Sequence, residues 1–232
     1  MSDSAPHVAV VVFPGSNDDR DAARALERMG ATPALVWHAD AHLAPETAAV
    51  VLPGGFSYGD YLRSGAIARF APVMDAVRAF ASDGGPVLGI CNGFQILCEA
   101  GLLPGALRAN RQLEFVCRDV TVRVEQTASA FTSECAVGDD LVIPVKHGDG
   151  NWFADDDLLA DLETRGQIAL RYTEDVNGSV GHVAGVVNEA GNVLGLMPHP
   201  EHAVDPLLGP TGGVPILEGL VRAARDRLSL SV

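Results

Sequence analysis

The strongest constraint on the fold is a unit repeated through the first half of the chain. Each time, a short run of apolar residues breaks at a Gly or Pro turn and gives way to a helical stripe. Residues 7–13 (HVAVVVF) run into Pro14-Gly15-Ser16-Asn17, and residues 18–29 then carry Ala22, Ala25, Leu26 and Met29 at helical spacing, with Gly30 as the stop. Residues 34–37 and 48–52 form two further short runs, the latter ending in Pro53-Gly54-Gly55. Residues 66–82 place Ile67, Phe70, Val73, Met74, Val77 and Phe80 three and four apart, which predicts one helix lying on a sheet. After Asp83-Gly84-Gly85-Pro86 comes the run 87–90, then Cys91-Asn92-Gly93 and a helical stripe over 94–100.

Short strands with helices between them predict an α/β fold: a doubly wound, mostly parallel sheet, flavodoxin-like, covered on both faces. The second half reads differently. Residues 113–124, 141–145, 167–172, 180–187 and 193–196 are strand-like, with few helical windows between them, and predict an antiparallel extension on one edge of the sheet. A helix over about 214–228 closes the chain. No linker, repeat or low-complexity stretch divides the 232 residues, so residues 1–232 are expected to form one domain.

Composition narrows the function. Sixteen Lys plus Arg, of which only Lys146 is lysine, against thirty Asp plus Glu leave a formal charge of −14, which disfavours a nucleic-acid partner. No apolar stretch reaches the length of a membrane span, and residues 1–7 lack the layout of a signal peptide, so a cytoplasmic protein is expected. Four cysteines without CxxC spacing read as free thiols, and no clustered ligand set for a metal is visible.

One thiol stands out. Gly89-Ile90-Cys91-Asn92-Gly93 is a G-x-C-x-G sequence at a strand-to-helix turn, the cysteine form of a nucleophile elbow. The tight turn requires small residues two positions either side of the nucleophile, and the helix N-terminus favours a thiolate and frees the Asn92 N–H to face an oxyanion. The base best placed by sequence is His199 in Met197-Pro198-His199-Pro200-Glu201, just past an apolar run and held between two prolines. Glu201 is near enough to fix its tautomer, completing a Cys-His-Glu triad. His202 ranks second as a base. The loop over residues 53–61 should open on the same sheet edge, with Gly55 supplying a second oxyanion donor; it lacks the lysine of a nucleotide P-loop.

These segments resemble the class I, triad-type glutamine amidotransferases. Together with Phe13-Pro14-Gly15-Ser16-Asn17, Gly54-Gly55-Phe56-Ser57-Tyr58-Gly59-Asp60-Tyr61-Leu62-Arg63 and Ala203-Val204-Asp205-Pro206, they are similar over essentially the whole chain to the glutaminase subunits of phosphoribosylformylglycinamidine synthase. The resemblance implies a catalytic Cys91, His199 and Glu201, oxyanion amides from Gly55 and Asn92, and substrate contacts from Gly54, Gln95 and His147 in the His147-Gly148-Asp149-Gly150 turn. It implies glutamine as substrate, a large synthetase that binds ATP and Mg²⁺, a small bridging subunit, and no cofactor on this chain. Two residues depart from the family pattern: Asp18, where cysteine is common, and His202, where arginine is common. The rival readings are a stand-alone cysteine hydrolase of the same fold and a non-catalytic flavodoxin-like module.

Overall fold

The computed structural model describes residues 5–230; residues 1–4 and 231–232, which the one-domain and signal-peptide readings include, lie outside the described residues. Five strands run parallel: β1 (His7–Val12), β2 (Thr32–Trp37), β3 (Thr47–Leu52), β4 (Val87–Ile90) and, late in the chain, β11 (Val193–Leu196). The small sheet of β5 (Ala106–Arg108) and β8 (Asn151–Phe153) stands apart, while β6 (Val116–Val124), β7 (Asp140–His147), β9 (Ile168–Tyr172) and β10 (Val183–Val187) continue the main sheet in antiparallel fashion. The nine-stranded order is β2-β1-β3-β4-β11-β10-β9-β6-β7, so the expected mostly parallel sheet with an antiparallel extension is what forms.

Strands β3, β4, β10 and β11 are buried at almost every successive residue, which means that both of their faces are covered. The helices α1 (Asp19–Arg28), α3 (Asn92–Glu99) and α5 (Val214–Leu230) pack on the parallel strands, and Val8, Leu52, Ile90, Leu196 and Leu220 share one apolar cluster with Val122 and Ile143 of the extension. Residues from both halves therefore bury one core.

Two expectations need correction. The single helix over 66–82 is instead a 3-10 turn at Ala68–Phe70 followed by α2 (Val73–Ser82). Pro72 is the cause: its ring pushes Ala71 into extended backbone (φ −62°, ψ 141°), which interrupts the helix and restarts it one residue later. The second half also contains a helix, α4 (Asp156–Thr164), that its strand-like runs concealed. Asp155 caps it by accepting from Leu158 N–H at 2.8 Å, and acidic residues fill the first turn.

The strand order locates the site. β1 lies between β2 and β3, so the chain leaves β1 in one direction and later returns on its other side. The loops after β1, β3, β4 and β11 all emerge at the carboxyl edge near that reversal, where open α/β sheets bind ligands.

Candidate active site

The cysteine is presented by strained backbone. Cys91 has φ +50° and ψ −103°, at the junction of β4 and α3, a conformation that costs a non-glycine residue on the order of 1–3 kcal/mol. Its neighbours must be glycine for the reason that the sequence suggested. A Cβ on Gly93 would sit 2.0 Å from the Leu52 carbonyl oxygen, and one on Gly89 would sit 2.7 Å from the Gly93 oxygen. The Cys91 N–H donates to Leu196 O at 2.8 Å, and the Asn92 backbone N–H faces the Cys91 sulfur.

Register delivers the histidine. β4 and β11 pair with Ile90 opposite Leu196, so the two chains leave the sheet side by side, Cys91 on one and Met197-Pro198-His199 on the other. His199 N–H is anchored to Pro144 O at 2.8 Å, and Pro200 opens a 3-10 turn that returns Glu201 onto the imidazole. The contact is short: His199 Nδ1 to Glu201 Oε1 is 2.6 Å, with both side chains essentially inaccessible. With Nδ1 engaged, Nε2 is left buried without a hydrogen-bond partner among the described residues, and the second Glu201 oxygen is likewise unpartnered there. Cys91, His199, Gly55, Gln95, Lys146 and Asp149 line one cavity of about 200 Å³.

The loop after β3 supplies the opposite wall. Gly55 forms an antiparallel bridge with Ser16 through the Asn17 and Phe56 amides, so its own N–H takes no part in that bridge. Its φ of +145° and the crowding of a notional Cβ against Gly15 O at 2.6 Å make glycine mandatory there. The Asn92 side chain ties this loop to α3, accepting from Ser57 N–H at 3.1 Å and donating to Asp60 at 3.3 Å and to Gln95 Oε1 at 2.8 Å. Gln95 in turn donates to Asp149 O at 2.7 Å. Burial and the neighbouring Asp149 charge push the Asp60 carboxyl up to about 6.

Of the implied substrate contacts, Gln95 and His147 line the cavity and Gly54 sits beside it. Gly54 is not among the residues that line the cavity. A Cβ there would meet Asp18 Oδ2 at 2.4 Å and His199 Cε1 at 2.7 Å, so its bareness makes room for the base. His147 does line the cavity, but its ring is held from behind by Asn110 Oδ1 at 3.1 Å and Asn177 Nδ2 at 3.5 Å. Burial, then the His199 charge, pull it down to about 4, so the imidazole is neutral near pH 7.

The expectation that no ligand cluster exists also needs correction, because Asp18, His199, Glu201 and His202 bring one ligand atom each within 4.8 Å of one another. Their separation in sequence hid them. The Lys146 ammonium is seated in this group, 2.6 Å from Asp18 and 3.0 Å from His202 Nε2, and supplies the positive charge that an ion would bring. Asp18 is the residue that sequence reasoning underused, noting it only as a departure. Lys146 is the other, and its signal was available: it is the only lysine in the chain.

The helix start favours the thiolate through the Asn92 N–H, but its surroundings oppose it. Burial, then the Glu201 and Asp18 charges, raise the Cys91 group above its ordinary value, outweighing the Asn92 N–H and the Lys146 charge. The expected thiolate gives way to a resting thiol, whose S–H points toward Lys146 O at 3.8 Å.

Residues 5–211 match the model of the CobB/CobQ-like glutamine amidotransferase domain. The chain belongs to this glutamine amidotransferase family. A Rubrobacter xylanophilus relative named phosphoribosylformylglycinamidine synthase subunit PurQ is 61% identical over 94% of this chain and 99% of its own. The Nitrobacter winogradskyi protein of the same name is 55% identical over 92% of this chain and 96% of its own. Among solved structures, PurLQS from Thermotoga maritima superposes with a TM-score of 0.87 at 44% identity, covering 94% of this amidotransferase and 98% of the matched chain.

Proposed function

We propose that this chain is the glutaminase subunit of phosphoribosylformylglycinamidine synthase, hydrolysing glutamine and passing ammonia to a synthetase subunit that makes formylglycinamidine ribonucleotide in purine biosynthesis. One observation carries the chemistry. His199, clamped through Nδ1 by Glu201 at 2.6 Å and with an Nε2 that has no hydrogen-bond partner among the described residues, lines the same cavity as the strained Cys91. The family membership and the PurQ relatives, matched over 92–94% of this chain, support the substrate and the coupled reaction.

In the reading we favour, the Cys91 S–H proton moves to His199 Nε2 as the sulfur attacks the glutamine side-chain amide carbon. Because the resting thiol is protonated, proton transfer and bond formation belong together. The tetrahedral oxyanion is held by the Gly55 and Asn92 N–H groups. The proton then passes from His199 to the leaving nitrogen, the C–N bond breaks, and ammonia departs from a γ-glutamyl thioester. Water, deprotonated by His199, attacks that thioester, and the second tetrahedral intermediate collapses to glutamate and the Cys91 thiol. Gln95 and the Asp60–Asp149 side of the cavity are the walls that glutamine would meet.

This half-reaction balances with glutamine and water alone, so it calls for no cofactor on this chain. ATP and Mg²⁺ are assigned to the large synthetase subunit, with a small third subunit bridging the two, in keeping with the PurLQS assembly. We read residues 1–232 as one domain, working in the cytoplasm, where the thiol stays reduced. Among the described residues no helix is long and apolar enough to cross a membrane.

The raised thiol suggests that the isolated subunit is slow and that assembly completes the site. The test is glutamate release from glutamine by wild type and Cys91→Ala, each alone and with the two partner subunits, ATP, Mg²⁺ and formylglycinamide ribonucleotide. Release that needs Cys91 and rises on assembly supports the reading. No turnover by the folded, assembled protein would remove it in favour of another thiol hydrolase.

A further inference from the structure

The ion cluster beside the triad is more than a support for the loop. Asp18 follows β1, at the far end of the chain from His199, yet its Oδ2 lies 3.7 Å from His199 Nδ1 and its side chain is only 7% exposed. Its other oxygen is bound by Lys146 Nζ at 2.6 Å and lies 3.4 Å from His202 Nε2. Gly54 keeps the space between Asp18 and His199 clear, since any Cβ there would strike both. Thus His199 Nδ1 has two carboxylates near it, one in hydrogen-bond contact and one just beyond.

We propose that Asp18 is a positioning residue of the glutaminase reaction: its carboxylate, held between Lys146 and His202, seats His199 and stabilises the imidazolium formed when the Cys91 proton moves to Nε2. This rests on the function proposed above. Burial raises the Asp18 carboxyl, but the bonds from His202 and Lys146 and the His199 charge together hold it well below the ordinary carboxylate range, so it is ionised wherever the enzyme works. The bond to Asp18 in turn raises His202. The two departures from the family pattern are therefore one feature, because Asp18 and His202 meet each other over the chain's only lysine.

The charge has a definite sign of effect. Besides Asp18, the titratable groups around His199 are Glu201 and His202 from its own loop, Cys91 from the elbow, and Lys146 and His147 from β7. Removing one negative charge from beside an imidazole and a thiol favours the deprotonated form of each. Asp18→Asn, close in shape but neutral, should therefore move both limbs of the pH profile for kcat/KM to lower pH, and should lower kcat roughly tenfold with KM nearly unchanged. Lys146→Gln adds one net negative charge at the same point and should move both limbs the other way. Its main chain still accepts from the Cys91 thiol.

The experiment measures glutamate release across pH by the assembled complex carrying wild type, Asp18→Asn, Lys146→Gln or Cys91→Ala. Opposite displacements in the first two variants support the assignment. Profiles that stay in place in both, with losses that follow thermal stability alone, would overturn it and leave Asp18 a structural ion-pair partner. If Asp18→Asn does not fold, the Lys146→Gln profile decides: an unmoved profile overturns the proposal, and an alkaline displacement supports it. Wild type that fails to turn over glutamine would instead sink the function itself.

Discussion

Gly54→Ala isolates the geometry of the base from the stability of the fold. Gly54 does not adopt a left-handed backbone, so alanine is tolerated by the main chain and the whole effect is steric. The new methyl would lie 2.7 Å from His199 Cε1 and 2.4 Å from Asp18 Oδ2. Reaching the 3.4 Å of ordinary contact requires His199 to retreat by about 0.7 Å and Asp18 by about 1.0 Å. Neither can swing freely, since Glu201 holds one at 2.6 Å and Lys146 the other at 2.6 Å. A misplacement near 1 Å costs about 10²-fold in a positioned reaction. Glutamate release by the assembled complex at saturating glutamine should therefore fall by about two orders of magnitude. KM should change little, because Gly54 is not part of the cavity lining. Overpacking of this kind costs roughly 1–3 kcal/mol, a melting shift of a few degrees that circular dichroism would follow. A folded Gly54→Ala enzyme with kcat within threefold of wild type would refute the argument that this glycine exists to seat His199.

Other substitutions probe the remaining links. Glu201→Gln puts an amide against His199 Nδ1 and favours the wrong tautomer; with Asp18 still present nearby, kcat should drop by roughly 10³-fold, read by the same assay, and near-normal turnover would deny Glu201 its role. Gly93→Ala forces a methyl to within 2.0 Å of the Leu52 carbonyl oxygen and should cost about 3 kcal/mol or more, lowering the melting temperature by roughly 6–12 °C; an unchanged melt would mean that the elbow is not close-packed on β3. His147 titrates near 4 when folded against 6.5 when unfolded, so the unfolded state binds more protons between those values. Its contribution, up to about 3 kcal/mol, is complete above pH 6.5 and lost as pH falls toward 4. Melting temperatures of His147→Gln should accordingly vary less than those of wild type across that window, and equal slopes would count against a buried neutral imidazole.

The elbow was legible because its cause is local. Two glycines flanking a cysteine at a strand-to-helix turn announce a collision that any side chain would make, and the structure has those collisions at Gly89 and Gly93. The His199–Glu201 pair was legible for the same reason, being two residues apart on a loop stiffened by prolines. The apolar runs gave the strands because a strand buried on both faces has no other use for Val and Leu at consecutive positions. What stayed hidden depends on the fold bringing distant segments together. The bond between Asp18 and Lys146 spans 128 residues, and no local pattern encodes it. Pro72 could have been read, since a proline restricts the residue before it, but the apolar stripe continues in phase across the break and masked it. The strand-like runs on either side of α4 hid it in a similar way, although its acidic first turn and capping Asp155 were visible signals.

The central claim is that Cys91 carries the glutamyl group. Acid quenching of the assembled complex during turnover of radiolabelled glutamine, followed by peptide mapping, measures this directly. The account predicts label on the peptide that contains Cys91, discharged by hydroxylamine as a thioester should be, and none in Cys91→Ala. Label-free protein trapped during active turnover, or label that persists in Cys91→Ala, would contradict it.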